Sequence, residues 1–205
     1  MRNTVDVLIP TFNRPAALAV TLTSLVYQSF QEFRVIISDQ SDRMDIADSG
    51  EIKAVTNVLK LHGVEVKIHK HLPRRGMAEQ RQFLLDLCQA PFALYLDDDV
   101  IFEPFVIGNL LKLIQKEDCG FVGAAVLYNA DRLRETGGFK FWENLPPVHC
   151  GEDAMAQLRL LARYGGCGMI PSGVYHQELP TTITDRKIDI PRILPVNYPS
   201  RSLVP

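Results

Sequence analysis

Three consecutive carboxylates, Asp97, Asp98 and Asp99, follow directly on the apolar run Phe92-Ala93-Leu94-Tyr95-Leu96. Carboxylates this close repel one another and ionise together only beside something cationic. Two kinds of cation fit: a divalent metal, which takes hard oxygen ligands, or an arginine, whose planar fork matches a carboxylate. If the backbone stays extended, Asp97 and Asp99 share one side. The plainer reading is a solvated acidic loop, or a cap for the helix that Pro104 opens with Val106, Leu110, Leu113 and Ile114 on one face.

The elements around this block bear on both readings. A continuous apolar run after Pro91 reads as a strand buried on both faces, as in a parallel sheet. Ligands of open α/β sheets bind at the carboxyl ends of such strands. Upstream, Val5-Asp6-Val7-Leu8-Ile9 reads as a strand closed by Pro10, and Pro15 starts a helix carrying Leu18, Leu22, Leu25 and Val26. Phe33 to Ile37 gives the second strand, ending at Ser38-Asp39. A helix over Ile52 to Leu61 stops near Gly63, and Val64 to Ile68 gives the third strand. The helix from Met77 to Cys88, burying Leu84, Leu87 and Cys88, precedes the acidic strand. This alternation predicts an α/β domain with a mostly parallel central sheet and helices on both faces.

Beyond residue 120 the alternation loosens. Phe121 to Leu127 reads as one further strand, and Glu152-Asp153 opens a helix with Met155, Leu158 and Leu161 inward. From Pro180 the chain turns proline-rich and polar, so residues 1–179 read as the domain and 180–205 as a tail or lid.

Bulk properties narrow the class. The 205 residues suffice for one domain with a sizeable core, and 46% are hydrophobic. A net charge of −2 gives no electrostatic case for nucleic acid. No apolar stretch approaches the ~18–20 residues of a membrane span, which leaves peripheral association as the only membrane contact expected. Cys88, Cys119, Cys150 and Cys167 form no metal-type spacing and read as small buried hydrophobes of a reducing, cytoplasmic compartment.

The first strand ends in Pro10-Thr11-Phe12-Asn13-Arg14-Pro15, and the first glycine of the chain is Gly50. A Rossmann turn and a P-loop both need glycines there, so both are excluded, and a sugar-phosphate nucleotidyltransferase falls with them.

The ordered set Val7 to Arg14, Gln28-Ser29-Phe30, Val35 to Asp39, Gly76 to Arg81, Asp97-Asp98-Asp99, Gly137-Gly138-Phe139, Gly151-Glu152-Asp153 and His176 resembles the family 2 glycosyltransferases over residues 4 to 177. The resemblance implies a GT-A fold, a UDP-sugar donor, a hydroxyl acceptor on a glycan or glycoconjugate, and Mn²⁺ or Mg²⁺. It implies inverting transfer of a single hexosyl or N-acetylhexosaminyl unit. Carried over by position, Thr11, Arg14, Asp39, Arg81, Asp97 and Asp98 belong to the nucleotide and its diphosphate. Asp97, Asp99 and His176 are matched to the metal, and Asp153 to the catalytic base. Homo-oligomer formation is compatible with the short chain.

Each residue also has a plain role. Asp153 would favour a helix dipole, His176 would be a hydrogen-bonded histidine, and Asp39 would hold a turn with Ser41 and Asp42. Arg81 would pair with Asp97 or Asp98, Arg74 and Arg75 would be solvated, and Trp142 would serve either an acceptor sugar or the core. Gln40 and Ser41 stand where the family carries an acid-glycine pair, and Gln82 where it carries asparagine. The polymerase motif of processive synthases is missing. The alternative function on the same fold is a nucleotide- or sugar-binding module without turnover.

Overall fold

The computed structural model describes residues 3–123, 125–147 and 151–179; the tail call on 180–205 and Cys150 lie outside them. Strands β1 (Val5–Thr11), β2 (Phe33–Asp39), β3 (Val66–Lys70) and β4 (Phe92–Tyr95) are joined by helices α1 (Pro15–Val26), α2 (Gly50–Leu61) and α3 (Met77–Leu87). After β5 (Val100–Phe102) come α4 (Val106–Glu117), β6 (Phe121–Gly123), β7 (Val126–Asn129) and α5 (Ala130–Glu135). Then follow α6 (Glu152–Tyr164), β8 (Gly166–Gly168) and β9 (Val174–His176).

Seven strands form the central sheet in the order β3-β2-β1-β4-β7-β6-β8, while β5 and β9 make a separate antiparallel pair. Parallel pairing runs from β3 through β2 and β1 to β4, and β7 then enters antiparallel. One face of the sheet packs Val7, Ile9, Val35 and Ile37 with Leu18, Leu22, Ile52 and Leu110 from α1, α2 and α4. The other packs Leu8, Ile36, Ala93 and Tyr95 with Leu84, Leu133 and Leu160 from α3, α5 and α6. Every residue of β1 and β2 is buried, as strands covered on both faces require.

Three boundaries and one helix face differ from the sequence reading. β1 runs through Pro10 to Thr11. The Leu8 carbonyl accepts from Leu96 N on the β4 flank. Pro10, two residues on, turns its missing donor to that same flank, past the end of β4, where no ladder bond is lost. β3 starts two residues late because Val64 packs against the end of α2, donating its N–H to the Leu59 carbonyl. The run from Phe121 to Leu127 is broken into two strands, β6 and β7, paired antiparallel. In α6 the inward stripe is Met155, Ala156 and Leu160, with Leu158 and Leu161 exposed. The positions i, i+1 and i+5 define that face, so Leu158 at i+3 and Leu161 at i+6 fall off its edge.

The thiols of Cys88 and Cys119 are buried and that of Cys167 is half-buried. The Cys119 and Cys167 sulfurs lie 3.6 Å apart across the β6–β8 pair, a proximity their sequence spacing did not suggest. Among the described residues no helix is long and apolar enough to cross a membrane.

Candidate active site

Because β1, β2 and β4 are parallel, their carboxyl ends present Thr11, Asp39 and the acidic block on one rim. The block leaves β4 as a turn rather than a continued strand, yet the expected alternation survives. Asp97 is exposed and Asp99 half-buried, while Asp98 turns inward. Asp98 accepts a 2.6 Å hydrogen bond from the Thr11 hydroxyl and lies 3.6 Å from the Arg14 guanidinium. Burial pushes the Asp98 carboxyl up to about 6, against the pull of Thr11 and Arg14. Arg14 also reaches Asp99 at 3.2 Å.

Arg81, buried on α3, binds three carboxylates at once. Its Nη2 lies 3.3 Å from Asp97 and 3.0 Å from Asp153, and its Nε lies 3.3 Å from Glu152. The guanidinium rests over the Tyr95 ring, whose hydroxyl donates to the Arg81 carbonyl at 2.7 Å. Burial works against the charge of this group, but Asp153, Glu152 and Asp97 outweigh it and hold the guanidinium above its ordinary value. The plain reading of Arg81 as a partner for Asp97 is therefore correct and incomplete. Glu152, given no role from sequence, is a buried member of the cluster. Its adjacency to Asp153 inside Gly151-Glu152-Asp153 was the signal that could have found it.

Asp153 sits in the first turn of α6 with Oδ1 covered and without a hydrogen-bond partner in the protein. Its side chain as a whole keeps 36% of its surface open. Burial, with Glu152 and Asp97 adding to it, drives the Asp153 carboxyl up to about 7 despite Arg81. Arg81, Asp97, Asp153, His176 and the apolar Val126 and Val174 line one cleft with about 440 Å³ of empty space out to its mouth.

His176 returns to the rim at the end of β9, opposite Val100 of β5. Its Nδ1 lies 3.7 Å from Asp99 Oδ1. One ligand atom from each of Asp97, Asp99 and His176 falls within 4.8 Å of the others. Two carboxylates and an imidazole fit a small divalent ion such as Mn²⁺. Among the described residues, the five carboxylates Asp97, Asp98, Asp99, Glu152 and Asp153 pair with the two guanidiniums of Arg14 and Arg81 and, at Asp99, with the His176 ring. Such a balance favours one more cation.

Asp39 is placed differently from a ligand-facing residue. Its side chain is fully buried and accepts from Ser41 N at 2.7 Å, Ile46 N at 3.3 Å and Lys70 Nζ at 2.9 Å. It holds the loop after β2, as its plain reading had it, and the half-exposed Lys70 carries its influence outward. Arg74, exposed as its plain reading had it, lies over the Phe12 ring at 3.6 Å, and Trp142 packs partly against the second core. Gln82 Oε1 accepts the Phe139 N–H at 2.8 Å, fixing the Gly137-Gly138-Phe139 turn against α3. A side chain at Gly138, where φ is +55°, would meet that oxygen at 2.7 Å.

The profile of glycosyl transferase family 2 matches residues 6–176. The chain belongs to that family. Among curated relatives of this family 2 glycosyltransferase, a GalNAc(5)-diNAcBac-PP-undecaprenol beta-1,3-glucosyltransferase of Campylobacter jejuni is 27% identical over 117 residues, 57% of this chain and 35% of that protein. The amylovoran biosynthesis glycosyltransferase AmsB of Erwinia amylovora is 24% identical over 160 residues, 78% of this chain and 51% of that one. The chain thus spans between a third and a half of these relatives' lengths. In fold it is similar to the mannosyltransferase PcManGT of Pyrobaculum calidifontis, solved with GDP-Man and Mn²⁺, at a TM-score of 0.66 and 16% identity over 84% of this chain and 56% of that one. It is equally similar to S. aureus TarS 1-349, solved with UDP-GlcNAc, at a TM-score of 0.66 and 12% identity over 87% and 59%. The fold is GT-A-like, and the family's reaction class is glycosyl transfer.

Proposed function

We propose that the chain is a metal-dependent inverting transferase that moves one sugar from a UDP-sugar to a hydroxyl acceptor, with Asp153 as the base. The observation that carries this reading is the single guanidinium of Arg81, which ties Asp97 of the acidic block to Asp153 at the cleft. Asp97, Asp99 and His176 would hold the ion, which supplies positive charge for the departing diphosphate. Arg14 reaches the same rim to meet phosphate oxygens, and Thr11 fixes Asp98 behind it. Lys70, anchored by Asp39 on the same rim, would meet the nucleobase.

Asp153 suits its role because its carboxylate is raised in proton affinity without being fully protonated near neutrality. It takes the acceptor proton as the hydroxyl oxygen attacks the anomeric carbon from the face opposite the leaving group. That direction inverts the centre, through an oxocarbenium-like transition state. A base works only when deprotonated, so kcat/KM should rise with pH by about tenfold per unit until Asp153 has ionised, then level. The Asp153 carboxyl, pushed up to about 7 by burial, sets where that limb ends. A flat profile between pH 5.5 and 8 would count against Asp153.

The experiment that tests the donor and the metal is a thermal-shift panel of nucleoside diphosphates with and without Mn²⁺. The expected result is a Mn²⁺-dependent rise in Tm with UDP, lost in Asp99→Ala and reduced in His176→Ala. A rise with GDP in place of UDP would redirect the donor assignment, and no metal effect with any nucleotide would remove the ion from the mechanism.

A further inference from the structure

Thr21, in the middle of α1, is fully buried and belongs to none of the groups assigned above. Its hydroxyl donates to the Asp98 carbonyl at 2.9 Å and accepts from Val100 N at 3.1 Å. It also lies 3.4 Å from Gln177 Nε2, which donates to the Ala17 carbonyl at 3.1 Å as well. A hydroxyl has one proton and two lone pairs, so these three partners use its capacity fully.

The partners have a pattern. Asp98 and Val100 flank Asp99 on either side, and Gln177 follows His176. Gln177 N itself donates to the Asp99 carbonyl at 2.8 Å. One hydroxyl therefore clamps the turn that presents Asp99 and the strand end that presents His176, though its own side chain faces neither. We infer that Thr21 is a positioning residue that sets Asp99 and His176 at ion-binding separation. This rests on the metal reading above and extends it to a side chain outside the ligand set. Valine matches threonine in shape but offers no hydrogen bond. Thr21→Val would leave the Asp98 carbonyl and Val100 N buried and unpaired, freeing the turn to relax.

The test is Mn²⁺ affinity, read by calorimetry or electron paramagnetic resonance without any sugar donor. Partners of this outer kind typically hold ~10–100-fold of metal affinity, and that is the loss expected in Thr21→Val. Thr21→Ser restores the hydroxyl and should recover most of it, a rescue that mere helix packing would not predict. Gln177→Leu, on a half-buried side chain, cuts the link from the His176 side and should weaken Mn²⁺ severalfold even if Thr21→Val fails to fold. Wild-type Mn²⁺ affinity in either variant overturns the inference while leaving the metal site standing. Absence of Mn²⁺ binding in the unaltered protein overturns both together.

Discussion

Replacing Asp153 with asparagine is expected to lower the transfer rate by ~10²–10⁴-fold, the usual worth of general-base assistance, while leaving donor binding in place. The substitution keeps the size of the side chain and an oxygen for Arg81, which still binds Asp97 and Glu152. What it removes is the capacity to take a proton. Oδ1 of Asp153 is a covered oxygen without a partner, an expensive arrangement unless an incoming group completes it. Single-turnover kinetics beside calorimetric titration of UDP separate the two effects. Full activity in Asp153→Asn would end the assignment.

The second large effect concerns stability. Arg81→Met keeps the length of the buried side chain and deletes its charge, leaving Asp97, Glu152 and Asp153 facing one another. Removing one partner of a buried ion pair costs ~3–5 kcal/mol, and here one cation serves three anions. The sign with pH follows from linkage. Without Arg81 these carboxyls hold protons more tightly folded than unfolded, so the folded state binds more protons and stability falls as pH rises through their unfolded values toward their folded ones. Urea denaturation of Arg81→Met should therefore give a midpoint well below wild type at pH 8 and closer to it at pH 5. An unchanged midpoint at pH 8 would show that the cluster holds nothing together.

The acidic block was legible because it ends a strand buried on both faces, whereas Arg81, Asp153 and His176 were singled out through the family resemblance. A strand buried on both faces followed at once by three aspartates leaves few places for the charge to go. What escaped were partnerships made across the sheet. The strand expected over Val64 to Ile68 stops short of Lys70, whose hold on Asp39 exists because β3 pairs beside β2 in that register. Glu152 was visible as a first-turn acid but became a site residue only when α6 was laid against α3. Thr21 looked like one more helix position, since nothing local announces a hydroxyl shared by residues 77 and 156 positions away. The inward stripe of α6 was misjudged because Leu158 and Leu161 are as apolar as the residues that turned inward. Only the angle at which the helix meets β6 and β8 picks the face.

The β5–β9 pair has a consequence for synthesis. Its second strand supplies the imidazole, and Gln177 beside it reaches back to Ala17 across 160 positions of chain. The sheet and both cores can assemble from segments made earlier, whereas the rim acquires the imidazole proposed as a ligand only when residues 174–177 have left the ribosome and docked. A nascent chain halted at residue 170 would thus hold the central sheet but only two of the three side chains proposed to bind the ion.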